Sequence, residues 1–241
     1  MSTRLSWKPV TSRAIGVICL LATGLPACAQ GPATVSPQPR EGAWMELHQQ
    51  FLKRARQGNV DLLFLGDSIT QGWNDNEVWK RFYGPRNAAN FGIGGDRTQH
   101  VLWRIQNGEL DGIAPRVVVL MIGTNNGDNA TADEIVQGIT TIVQELRHRL
   151  PTARILLLGV FPRGEKPNPL REKLGAVNAK IAGLDDGSHV KYLDIGKSFL
   201  NEDGTISGAI MPDYLHLSRK GYRIWADAME PTLWSMLDEA K

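Results

Sequence analysis

Leu62-Leu63-Phe64-Leu65-Gly66-Asp67-Ser68-Ile69-Thr70 opens as an apolar run of strand character, breaks at a glycine and presents a serine two residues later. A run without polar alternation is a strand buried on both faces. Open α/β sheets bind ligands at the carboxyl ends of such strands. Ser68 is therefore a candidate nucleophile, provided that a base and an oxyanion hole exist elsewhere in the chain. Taken alone, a serine in this place is more often a helix N-cap. Position 70 is threonine, so the segment is not the G-x-S-x-G elbow of the α/β-hydrolases.

Working outward, apolar strand-like runs at 60–65, 88–91, 117–122, 155–160 and 190–193 alternate with helical patterns at 42–57, 98–106, 132–150, 170–184 and 218–237. In the last of these, Tyr222, Trp225, Ala226, Met229, Leu233 and Met236 share one face, and Pro231 is expected to kink it. Strands alternating with helices predict a three-layer α/β/α domain around a five-stranded parallel sheet. With 241 residues, 42% apolar and 22% charged, the chain has material for one sizeable core.

That core is expected to begin near Glu41. Residues 1–29 combine a basic start (Arg4, Lys8, Arg13) with a short apolar run and read as an export signal. Ala27-Cys28-Ala29 offers cleavage after Ala29, while Leu25-Pro26-Ala27-Cys28 resembles a lipobox that would lipidate Cys28. The first outcome gives a periplasmic or secreted protein, the second a membrane-anchored lipoprotein. Residues 30–40 hold three prolines and read as a tether. Both cysteines, Cys19 and Cys28, fall in the signal, which leaves the mature domain without a disulfide, a zinc-thiolate site or a cysteine nucleophile. Losing the three basic residues leaves 24 basic against 25 acidic, a formal −1. No basic stripe with interleaved aromatics suggests a nucleic-acid partner.

Four strands end in polar or glycine-rich turns that a parallel sheet brings to one edge: Gly66-Asp67-Ser68, Gly92-Ile93-Gly94-Gly95-Asp96, Gly123-Thr124-Asn125-Asn126-Gly127 and the segment 161–169. The second turn is not a dinucleotide fingerprint, because position 97 is arginine. It reads either as a tight turn needing positive φ or as a loop leaving the Gly94 N–H free for a ligand. Asn125 is either an Asx-turn residue or a neutral donor for an oxyanion. Of the five histidines, His48, His100, His148 and His189 read as structural or solvated. His216 follows Asp213 by three residues in a loop, a spacing that lets the carboxylate orient one ring nitrogen while the other faces Ser68.

The set, in this order, resembles the four blocks of the SGNH (GDSL) hydrolase superfamily. The stretches Asn90–Asp96, His100–Arg104, Asn107–Leu110, Gly123–Asn126 and Pro162–Arg171 are similar to the catalytic subunits of intracellular platelet-activating factor acetylhydrolase. The resemblance implies a flavodoxin-like fold and a serine esterase acting on small acyl esters, acetyl above all. It implies Ser68 as nucleophile, His216 as base and Asp213 as its orienter, with an oxyanion hole of the Ser68 and Gly94 N–H groups and the Asn125 side chain. It implies an acyl pocket narrowed at Ile69, Thr124 and Leu215, where Ile69 departs from a leucine-like residue. Neither cofactor nor metal is implied, and a homodimer is compatible with it. An export signal on such a domain points to an acetylated glycan as readily as to a lipid. A non-catalytic module keeping the fold is the alternative from another functional class, and segment 163–171 is expected to border the site.

Overall fold

The computed structural model describes residues 31–74 and 76–239. The export signal, Cys19 and Cys28 lie outside the described residues. Five strands, β1 (Leu62–Gly66), β2 (Ala88–Gly92), β3 (Val117–Met121), β4 (Arg154–Leu158) and β5 (Val190–Leu193), form one sheet in the order β2-β1-β3-β4-β5. Every pairing is parallel, and the register places Gly66 beside Gly92 on one side and Met121 on the other. Strand order reverses between β1 and β3, which makes their carboxyl ends the switch point where a crevice opens.

Among the described residues seven α-helices accompany the sheet: α1 (Ala43–Arg56), α2 (Ser68–Gln71), α3 (Glu77–Phe82), α4 (Thr98–Gln106), α5 (Ala132–Arg149), α6 (Pro169–Ile181) and α7 (Arg219–Glu239). Alternate strand residues divide between two apolar clusters, as the period of a strand requires. Leu63, Leu65, Val118, Leu120, Ile155 and Leu157 pack with residues of α1, α4, α5 and α6. Leu62, Phe64, Val119, Met121, Leu156 and Leu158 pack with α3 and α7 around Trp73 and Trp225. All six residues assigned to the inner face of the last helix are buried. That helix runs on through Pro231. None of the helices is long and apolar enough to cross a membrane among the described residues.

Local chemistry sets the helix starts. Thr131 and Glu134 form a reciprocal capping box at α5. At α6, Asn168 accepts from the Arg171 N–H and Pro169 occupies the first turn. Sequence periodicity missed α2 and α3, which are four and six residues long, too short for a helical period to declare itself. Residues 31–40 also depart from expectation. They do not extend as a tether but lie along α4 and α5: Thr98 Oγ1 donates to the Thr34 carbonyl at 2.8 Å, the Gln38 N–H to the Gln99 carbonyl at 3.2 Å, and Arg40 Nη1 to the Gly94 carbonyl at 2.8 Å. Their three prolines suit an extended segment, and composition alone could not reveal these long-range partners.

Gly92 shows how closely the sheet edge approaches α2. A Cβ there would lie 2.3 Å from the Gln71 nitrogen and 2.7 Å from the Thr70 carbonyl carbon. Both are backbone atoms that cannot turn aside, so Gly92→Ala should destabilise the domain by about 1–3 kcal/mol. Gly175→Ala, in an exposed helical position with nothing within 4 Å, should instead stabilise it by about 0.5–1 kcal/mol. Urea unfolding of the two variants beside the wild type checks both signs.

Candidate active site

At the switch point β1 delivers Asp67 and Ser68, and Asp67 rather than Ser68 caps the short helix: its Oδ1 accepts from the Ile69 N–H at 2.9 Å. The N-cap alternative for Ser68 is thereby set aside, and its hydroxyl is left for other work. His216 Nε2 lies 2.9 Å from Ser68 Oγ, and His216 Nδ1 lies 2.6 Å from Asp213 Oδ2. The other oxygen of Asp213 accepts from the Leu215 and His216 N–H groups at 3.1 and 2.7 Å. One carboxylate therefore folds the loop and aims the ring. Partial burial works against its charge, but the hydrogen bonds from the His216 ring and the two backbone N–H groups prevail and hold its pKa at about 2.

The loop carrying His216 is braced from outside. Tyr214 takes φ of +58°, a left-handed conformation that a tyrosine rarely adopts. Its carbonyl accepts from the Gly164 N–H at 2.8 Å. Gly164 belongs to the proline-rich segment after β4, whose neighbouring residue Arg163 donates through Nη1 to the Thr124 carbonyl at 3.4 Å. Segment 163–171 thus borders the site, as expected, and joins the Asn125 turn to the His216 loop. Arg171 holds that segment in turn, donating to the carbonyls of Arg163, Gly164 and Gly204.

Asn125 makes no Asx-turn. Its Nδ2 donates to the Asp96 carbonyl at 2.8 Å, and its second N–H meets no acceptor among the described residues. The Ser68 N–H stands in the first turn of α2 and has no intrahelical acceptor. Gly94 differs from the sequence reading. Its N–H is not free but donates to Gln71 Oε1 at 2.9 Å. The residue needing positive φ in this turn is Gly95, at +76°. Gly94 instead permits close approach, since a Cβ there would lie 3.0 Å from Gln71 Oε1 and 3.8 Å from Ser68 Cβ.

Beneath the turn lies a buried charged network that no short motif announces. Arg104 is fully buried; its Nε donates to Asp96 Oδ2 at 2.9 Å, its Nη1 to Glu109, and its Nη2 to the Gly66 carbonyl at 3.4 Å. Asp96 Oδ1 also receives Trp44 Nε1 at 2.6 Å and Arg40 Nη1 at 3.3 Å. Burial, with Arg40, Arg97 and Arg104 nearby, pushes the His100 pKa down to about 4, and His100 Nδ1 accepts from the Arg97 N–H at 3.0 Å. His100 and the buried His48 are structural, while His148 and His189 are exposed. No group of three metal-ligating side chains occurs among the described residues. Ile69 is buried in the α7-side cluster, Leu215 packs against the same cluster, and Thr124 is buried beside Asn125. A separate cleft lined by Asp61, Arg86, Arg116 and Trp234 lies at the opposite edge, since Asp61 and Arg116 precede β1 and β3.

Known proteins share this arrangement of elements. The profile of the GDSL-like lipase/acylhydrolase family matches residues 64–224. Platelet-activating factor acetylhydrolase IB subunit alpha1 of Bos taurus is 43% identical over 212 residues, 88% of this chain and 91% of its own. Subunit alpha2 of Mus musculus is 44% identical over 197 residues, 81% of this chain and 86% of its own. The crystal structure of a GDSL-like lipase from Bacteroides thetaiotaomicron superposes with a TM-score of 0.65 at 17% identity, covering 80% of this chain and 98% of that one. At such low identity the likeness is one of fold.

Asp67 permits a test of the electrostatics. It is fully buried and its Oδ2 has no hydrogen-bond partner. Burial pushes its pKa from 3.8 to about 7, opposed by the Ile69 N–H and reinforced by Asp96. The folded state thus holds this proton more tightly than the unfolded chain does. The group's contribution to stability is complete below pH 3.8 and is lost as pH rises through about 7. Asp67→Asn keeps the capping oxygen but cannot ionise. Urea unfolding between about pH 4 and pH 8 should decline less steeply for the variant than for the wild type.

Proposed function

The chain belongs to the GDSL-like lipase/acylhydrolase family and is a carboxylic ester hydrolase; on that premise we propose that Ser68 is its nucleophile, His216 its general base and Asp213 the residue that orients His216. The observation that carries this reading is the continuous pair of contacts, 2.9 Å from Ser68 Oγ to His216 Nε2 and 2.6 Å from His216 Nδ1 to Asp213. Ser68 Oγ attacks the ester carbonyl carbon as its proton passes to His216 Nε2. The negative charge collects on the carbonyl oxygen, where the Ser68 N–H, the Asn125 amide and the Gly94 N–H receive it. His216 returns the proton to the departing alkoxide, leaving an acyl group on Ser68. Water then gives a proton to His216 and attacks that acyl carbon, and the carboxylic acid leaves as Ser68 recovers its hydrogen. Asp213 holds the Nδ1 proton throughout and keeps Nε2 in the accepting tautomer.

Acetyl is the favoured acyl group. The relatives above are named acetylhydrolases, and buried Ile69 and Thr124 with half-buried Leu215 are compatible with a small pocket. On the alcohol side, a lipid follows from the relatives' names. An exported acetylated glycan follows from the signal read in residues 1–29, with Cys28 as the anchor if it is lipidated. A panel of acetylated glycans and lipids separates the two.

Ser68→Ala should cut turnover of 4-nitrophenyl acetate by about 10⁴-fold or more with an unchanged circular dichroism spectrum. Retained activity would reject Ser68 as the nucleophile. Esters of increasing chain length test the pocket: kcat/KM should fall steeply from acetate to octanoate, and equal rates would show that Ile69, Thr124 and Leu215 do not limit it.

A further inference from the structure

Gly94, one of the three oxyanion donors assigned above, already has a partner within the protein. Its N–H donates to the side-chain oxygen of Gln71 at 2.9 Å, while the Ser68 N–H and the second Asn125 N–H meet no acceptor among the described residues. Of the two terminal atoms of the Gln71 amide only the oxygen can accept from an N–H, so chemistry fixes its orientation and turns its Nε2 away from Gly94. A single backbone N–H cannot serve Gln71 and a substrate oxygen fully at once.

On the reading of Ser68 as nucleophile, we propose that Gln71 is a specificity-determining gate: its side-chain carbonyl stands in for the substrate carbonyl at the Gly94 N–H, and an ester must displace it to complete the oxyanion hole. Its position in the fold suits this exchange. Gln71 ends α2, three residues after Ser68, and its backbone is fixed by its own N–H to the Asp67 carbonyl at 2.8 Å. Its side chain is half-buried, and among the described residues that hydrogen bond is its only one. Release therefore needs only side-chain rotation and the loss of one neutral hydrogen bond.

The contact is not required to hold the turn. The Ile93 N–H donates to the Gly66 carbonyl at 3.2 Å, Arg40 Nη1 to the Gly94 carbonyl at 2.8 Å, and the Gly92 N–H to Asn90 Oδ1 at 3.0 Å. Those bonds persist whatever stands at position 71. The Gln71 carbonyl therefore competes with ligand where its loss leaves the donor in place. A substrate carbonyl that engages the Ser68 and Asn125 donors is well placed to take over the third. A ligand without such a carbonyl meets a hole that remains closed.

The test uses Gln71→Met, which keeps the length and loses the acceptor, and Gln71→Asn, which keeps the amide but falls one methylene short. Each should raise kcat/KM for 4-nitrophenyl acetate about two- to tenfold, the worth of one neutral hydrogen bond. The gain should appear as a lower KM with kcat within about twofold, and phenylboronate, which fills the hole as a tetrahedral anion, should inhibit more tightly by a similar factor. Unchanged KM and boronate affinity in the folded variants would overturn the gate, as would a fall in kcat of about tenfold, because Gln71 would then assist the transition state. Ser68→Ala, assayed beside the two Gln71 variants, keeps the readings apart. Unmoved KM and boronate affinity in the Gln71 variants with an inactive Ser68→Ala defeat the gate alone, whereas an active Ser68→Ala defeats the nucleophile assignment.

Discussion

The Arg104 guanidinium, fully buried behind the turn that follows β2, makes the interactions on which the rest depends. It meets Asp96, Glu109 and the Gly66 carbonyl, and so fastens the end of β1 to the turn that follows β2. Through Asp96 the fastening extends further: the carboxylate receives Trp44 and Arg40, and the carbonyl receives Asn125 from the turn after β3. Burying such a network costs desolvation of every member, and apolar replacements often do as well or better for stability alone. What this network supplies here is position. Ser68, Gly94 and Asn125 come from three different strand ends, and one buried cation holds those ends in register.

The fourth strand end and the final loop are held differently. Tyr214 sits in a left-handed conformation, braced by Gly164, and the Asp213 carboxylate ties its own turn together while it receives the His216 ring. Two carboxylates serve Ser68, Asp67 as its neighbour in sequence and Asp213 through the His216 ring, with opposite electrostatic settings. Desolvation drives Asp67 toward its neutral form, whereas hydrogen bonds that outweigh a slighter burial keep Asp213 ionised. The carboxylate held in its charged form thus stands on the imidazole, and the one that burial pushes toward neutrality caps the helix that begins at Ser68. Such separation of two acids by environment is how a site keeps one charge where chemistry needs it.

Much of this was legible in the sequence because the signals are local. Largely apolar runs marked every strand, with boundaries within two residues, and a 3.6-residue period marked the five longer helices. Asp213, His216 and Ser68 could be named because each falls in a polar break after an apolar element. What stayed hidden depends on contacts distant in sequence. Residues 31–40 look like a tether by composition but pack through Thr34, Gln38 and Arg40. Arg104 falls inside a helical pattern, where an arginine ordinarily faces solvent, and only the fold places it between two acids. Gln71 carried no motif at all. Its significance arises because Gly92 lets the sheet edge lie directly against α2, which brings Gly94 within reach.

With Ser68 as nucleophile and His216 as base, the reactivity of one hydroxyl depends on one ring. Intact-protein mass spectrometry after exposure to a fluorophosphonate measures that directly. The account predicts a single adduct on Ser68 in the wild type and almost none in His216→Ala over the same exposure. An adduct on another residue, or equal labelling of Ser68 without His216, would contradict it.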